Sequence, residues 1–235
     1  MKPSTGSIRF SFCILTVCFA ALAVGCGIPM VPYRAVYEDP VNYVRLEWDQ
    51  TVLPEWPPSA HAHPTMMSVE DLAHILDGIS VREHRIWLQT WLQGEAPLEP
   101  VFRPEELALV SRQVAAALAE AQPDERVTFY LSQPKTSVKR IITSGGLYLH
   151  GKELHFTLGN WQVLYGIPTY GVIYDRRYPL RATAAKGFDI FFHPNEAVVE
   201  EHHGFLDTVL ANTRDELVID LTKMNAGPIA LLVER

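Results

Sequence analysis

The chain has 235 residues, 48% of them apolar, and carries 20 Lys and Arg against 27 Asp and Glu, a formal charge of −7. That apolar share is enough for a packed core and argues against intrinsic disorder, and the length suits one domain with or without a tether. An excess of acid excludes nucleic acid as the natural partner, because phosphates are met by Lys and Arg.

The N-terminal segment has three parts. Lys2 and Arg9 give a positive start, residues 10–24 are apolar apart from Ser11 and Thr16, and Ala23, Val24 and Gly25 precede Cys26. Fifteen helical residues span about 22 Å, short of the roughly 30 Å hydrocarbon core, so the run suits a signal peptide better than a membrane span. Ala23-Val24-Gly25-Cys26 resembles the lipobox of bacterial lipoproteins, with Ala23 where Leu is usual and Leu22 one place earlier. The resemblance covers residues 1–26 alone. It implies removal of residues 1–25 and attachment of lipid to the Cys26 sulfur, the best nucleophile for the purpose. It also implies a place in the cell envelope. In this class an Asp after the cysteine marks inner-membrane retention. Gly27 therefore implies the outer membrane, facing the periplasm.

Cysteine usage fits. Cys13 and Cys18 would leave with the signal, and Cys26 would carry lipid, leaving neither disulfide nor free thiol. The remaining chain would hold 18 basic and 27 acidic residues. The alternative is an uncleaved anchor running on through Ile28 and Met30, a helix that Gly25, Gly27 and Pro29 weaken.

Residues 26–40 read as the lipidated cysteine and a proline-rich tether, with Pro29, Pro32 and Pro40, leaving a single domain over 41–235. Residues 43–49 alternate, with Val44, Leu46 and Trp48 facing a core and Arg45, Glu47 and Asp49 facing water. Residues 53–65 read as a loop. The spacing predicts a helix over 68–78, capped by Ser68 and stopped at Gly78. Residues 79–93 alternate and suggest strand, although Trp87 and Trp91 are also one helical turn apart. A second helix is predicted over 104–121. Pro104 takes its first position, Glu105 and Glu106 its first turn, and Leu107, Val110, Val114, Leu118 and Ala121 its apolar stripe.

Strands are predicted next over 127–132 and 138–143, with residues 143–146, TSGG, as a turn. Residues 147–156 read as a hairpin turning at Gly151-Lys152. Further strands are expected at 188–192, 216–221 and 229–234, with 196–211 open between helix and strand. Two early helices and many strands make an α+β domain on a mainly antiparallel sheet.

Chemistry is sparse. The hairpin register sets Leu147, Leu149, Leu154 and Phe156 on one face and Tyr148, His150, Glu153 and His155 on the other. His150, Glu153 and His155 are acceptable zinc-ligand types, but the same residues suit a solvated sheet face. His61 and His63 read as exposed loop imidazoles, and His74 as solvated. Glu200 and His203 match one Glu-x-x-His unit without the second that a di-iron bundle needs. No nucleophile elbow, zincin helix, phosphate loop or C-x-x-C is present, and no cofactor is implied.

The least ordinary stretch is residues 160–187. It holds Trp161, Tyr165, Tyr170, Tyr174 and Tyr178, and sets Arg176, Arg177, Arg181 and Lys186 against Asp175 alone. Aromatic and arginine side chains are enriched at binding hot spots. Cys26 for lipid attachment and Trp161, Tyr165, Tyr170, Tyr174, Arg176, Arg177 and Arg181 for binding are thus the candidate site residues. They point to a lipid-anchored envelope protein with a non-catalytic binding or structural role. Its partners would be the membrane and an envelope protein, polymer or anionic lipid surface. The rival expectation is a metal-assisted envelope enzyme built on His150, Glu153 and His155.

Overall fold

The computed structural model describes residues 30–52, 60–166, 176–183, 187–199 and 216–224. All the strands and helices described lie in the compact unit formed by residues 32–235. The architecture is α+β and dominated by antiparallel sheet, as the alternation pattern predicts.

The main sheet has six strands: β1 (Tyr33–Glu38), β2 (Tyr43–Trp48), β5 (Glu125–Thr136), β6 (Lys139–His150), β7 (Glu153–Gly166) and β9 (Glu216–Asp220). They lie side by side in the order β1-β2-β5-β6-β7-β9, and every neighbouring pair is antiparallel. A small second sheet, ordered β4-β3-β8, joins β3 (Ile79–Glu83) to β4 (Glu99–Pro100) and β8 (Phe188–Phe192).

Three helices lie among the described residues. Helix α1 (Val69–Asp77) starts where predicted: the Ser68 hydroxyl oxygen accepts the Asp71 amide at 3.0 Å. Helix α3 (Pro104–Glu120) has proline at its first position, and the Arg103 amide donates to Glu106 at 3.0 Å. Val110, Val114, Leu118 and Ala121 are buried as the stripe requires, with Leu107 partly so. Helix α3 packs on α1 and on β1, β2 and β5. This layer covers one face of the sheet, where Val44, Leu46, Phe129, Leu147, Leu149, Leu154, Phe156 and Ile219 make the main core.

The hairpin at 147–156 has the expected register, with His150 opposite Glu153, Tyr148 opposite His155, Leu149 opposite Leu154 and Leu147 opposite Phe156. Gly151 turns it with φ of 59°, which glycine adopts at no steric cost.

Several expectations are corrected. Residues 33–38, read as tether, form strand β1 and pair with β2. Residues 79–93 are not one strand: β3 ends at Glu83 and helix α2 (Trp87–Gln93) follows. Residues 143–146 are no turn; they lie buried inside β6. Their glycines are there because neighbours occupy the Cβ positions. Phe129 Cζ would sit 2.8 Å from a Cβ on Gly145, and Leu180 Cδ2 3.1 Å from one on Gly146. The strand expected at 229–234 and the ambiguous 200–211 segment lie outside the described residues.

The largest departure concerns the second face of the sheet. Arg45, Glu47 and Asp49, expected in water, are buried, and Trp48, expected inside, is 43% exposed. Among the described residues, 176–183 and the loop around His61 lie on that face.

Candidate functional site

Residues 176–183 lie across the sheet as a strap without regular structure. Its backbone carbonyls are satisfied by side chains rising from the strands. Tyr43 Oη donates to the Arg176 carbonyl at 2.5 Å and Arg45 Nη2 to the Arg177 carbonyl at 2.6 Å. Ser144 Oγ donates to the Pro179 carbonyl at 2.7 Å and Asn160 Nδ2 to the Arg181 carbonyl at 2.9 Å. The Arg45 guanidinium lies between the Tyr33 and Tyr43 rings, 4.3 Å from each centroid, and is ion-paired to Glu47. Gly159 lies directly under the strap, where a Cβ would meet the Pro179 carbonyl oxygen and, at 2.9 Å, Leu180 Cα.

Of the residues predicted for the 160–187 contact, Trp161 and Arg176 are turned inward. Trp161 is 7% exposed and packs in the main core, edge-on to Phe188. Arg176 turns back on its own chain, with Nη1 on the Pro40 carbonyl at 3.2 Å, Nη2 near Glu38 at 3.5 Å, and its charge over the Tyr43 and Tyr130 rings. Arg177 and Arg181 remain exposed. Tyr165 lies in β7 with its side chain outside the description, and Tyr170, Tyr174 and Lys186 lie outside the described residues, as do Cys26, Glu200 and His203.

Below the strap, a row of rings crosses the same face. His61 and His63 are buried rather than exposed. His61 Nε2 donates to Asp49 Oδ2 at 3.1 Å, and its ring lies 4.2 Å from that of Tyr148. Tyr148 stacks on His155 at 4.6 Å. Glu216 Oε1 stands 3.2 Å from His155 Nδ1. Burial pushes the Asp49 carboxyl up, but the His61 hydrogen bond, the Arg126 charge and the Thr51 amide and hydroxyl outweigh it and hold it well below the usual carboxylate range. Burial, and then the charge of His61, push His63 down to about 4.

The chemistry of this row is limited. His61 Nδ1 has no hydrogen-bond partner among the described residues, so the Asp49–His61 pair activates no hydroxyl or thiol there. His150 is exposed, and its ring centroid is 6.3 Å from that of His155. Among the described residues no group of three or more His, Cys, Asp or Glu is placed to hold a metal ion, the His150, Glu153 and His155 set included. His74 is exposed on α1, as its place off the apolar stripe predicts.

The surface that sequence reading missed is α2. All ten residues of 86–95, IWLQTWLQGE, are exposed, Trp87 at 79% and Trp91 at 77%. Trp87, Leu88, Trp91 and Leu92 share one side of the helix, and Gln89, Thr90 and Gln93 the other. The excursion is braced at its base. Arg85 Nη1 donates to the Gly94 carbonyl at 3.1 Å, Arg82 Nη1 to Glu95 at 2.5 Å, and His84 Nε2 is 2.9 Å from Asp189. The four-residue spacing of Trp87 and Trp91 was the available signal.

Comparison with known proteins adds no relative: no family, no curated protein and no solved structure matches the chain.

Proposed function

We propose that the protein is a lipid-anchored cell-envelope protein with a non-catalytic binding role, held to the outer membrane through Cys26 and facing the periplasm. The observation that carries the binding role is the exposed 86–95 stretch. Contiguous apolar surface of this kind marks interaction sites, because leaving large side chains in water is unfavourable without a partner. The anchor is supported by the charged start, apolar run and Ala23-Val24-Gly25-Cys26 order of residues 1–26. No helix among the described residues is long and apolar enough to cross a membrane.

The contact surface is moved from 160–187 to α2, with Arg177 and Arg181 as an exposed basic accessory. The test is the intact mass of the protein extracted from membranes. A chain beginning at Cys26 and carrying acyl chains is the expected result. An unprocessed chain overturns the anchor. Loss of co-purifying envelope material in W87S/W91S is the matching expectation for the binding role. Capture unchanged in that variant but lost in R177E/R181E would return the contact to the strap.

A further inference from the structure

Resting on the lipid-anchored reading, we infer that α2 is a second membrane contact. Its Trp87, Leu88, Trp91 and Leu92 side, with Ile86, enters the headgroup–acyl boundary of a zwitterionic lipid surface.

Three observations select lipid over protein. The first is side-chain chemistry. Between Ile86 and Gly94 the chain has no charged side chain, only Gln89, Thr90 and Gln93 as polar ones, so the apolar side offers just the two indole N–H groups to a protein partner's polar groups. Tryptophan is the residue that favours a boundary with one apolar and one wet side, because its indole is large, flat and carries a single N–H. A helix with Trp and Leu on one side and polar residues on the other lies in the plane of such a boundary.

The second is charge. The bases next to α2 are already engaged: Arg82 on Glu95, Arg85 on the Gly94 carbonyl and His84 beside Asp189. The chain as a whole is acidic. Attraction to anionic headgroups is thereby weak, and contact depends on burying apolar surface, which salt does not screen.

The third is reach. Tyr33, the first residue of β1, is seven residues beyond Cys26, and seven extended residues cover at most about 25 Å. A lipid at Cys26 would keep the start of β1 within that distance of the bilayer, so the domain that carries α2 stays beside the lipid surface. A seven-residue helix binds a membrane poorly by itself, but tethering converts its contact into an intramolecular event at high effective concentration.

The test uses the full chain with its native lipid, in phosphatidylcholine vesicles with plain or brominated acyl chains. Flotation reads the anchor and tryptophan quenching reads α2. The chain has five tryptophans. The expected result is flotation with quenching of roughly two of the five, unchanged by salt and absent in W87F/W91F, which still floats. Flotation with equal quenching in both proteins overturns the α2 assignment and leaves the anchor standing. A chain that neither floats nor is quenched overturns both. Emission from Trp87 and Trp91 that is blue-shifted before lipid is added, with the mass of a dimer, assigns the surface to a second copy of this chain and overturns the lipid contact.

Discussion

The 176–183 strap holds three arginines and a tyrosine, and the 86–95 stretch holds two tryptophans and three aliphatic residues. By composition the first resembles a binding surface, and the second lies in a segment that alternates as a strand does. In the molecule the strap is committed inward, its carbonyls taken by Tyr43, Arg45, Ser144 and Asn160, and the stretch stands wholly in water. Composition reports which groups are present. Whether they are free depends on which strand residues lie beneath them, and a polar sheet face with donors to spare draws a covering segment onto itself.

The largest effect expected from breaking this contrast is at Arg45. Arg45→Met should cost about 3–5 kcal/mol in urea unfolding, because it leaves Glu47 buried and unpaired. R45M/E47L should recover most of that. A midpoint unmoved by Arg45→Met would mean that the strap face is open to water.

Next comes pH. His63 has a folded pKa of about 4 against an ordinary 6.5. The unfolded chain therefore takes up a proton that the folded one refuses between those values. Stability should be full above pH 6.5 and fall by ~3 kcal/mol as pH drops to 4. Asp49, shifted the other way, adds its loss only below the ordinary carboxylate range. Arg126, His155 and Glu216 face the same cluster, so the readout is the slope removed by His63→Leu in unfolding curves at pH 7, 5.5 and 4. An unaltered slope would put His63 in water.

A smaller cost, about 1–3 kcal/mol, is expected for Gly159→Ala, whose Cβ would push against Pro179 and Leu180. Proteolysis within 176–183 should quicken in parallel. The smallest effect should be at α2: W87S/W91S should move stability by no more than about 0.5 kcal/mol, as for exposed positions generally. A loss several times larger would show that α2 is packed and would erase the contrast.

Local pattern was a good guide where one element decides its own state. The Ser68 cap, the Pro104 start, the α3 stripe and the 147–156 register all depend on residues within a few positions of one another, so they were legible. The failures share a cause. Arg45, Glu47 and Asp49 alternate as a solvated face does, and the first of them is closed over by the Tyr33 ring of the neighbouring strand and by the Arg177 carbonyl more than a hundred positions away. Gly145 and Gly146 look like turn residues until Phe129 and Leu180 are seen to need their missing side chains. Residues 79–93 alternate as a strand does, and only the four-residue spacing of Trp87 and Trp91 marks the helix that stands exposed there.

The sequence by itself determined the class of fold, the starts of α1 and α3 and the 147–156 register, since each is written in neighbouring residues; the same kind of local order is all that supports the proposal of lipid attachment. Tertiary structure alone decided which polar face is closed, which histidines are buried, and which apolar surface is left for a partner. Those outcomes depend on long-range coverage: a side chain is inside or outside according to what the rest of the chain lays over it.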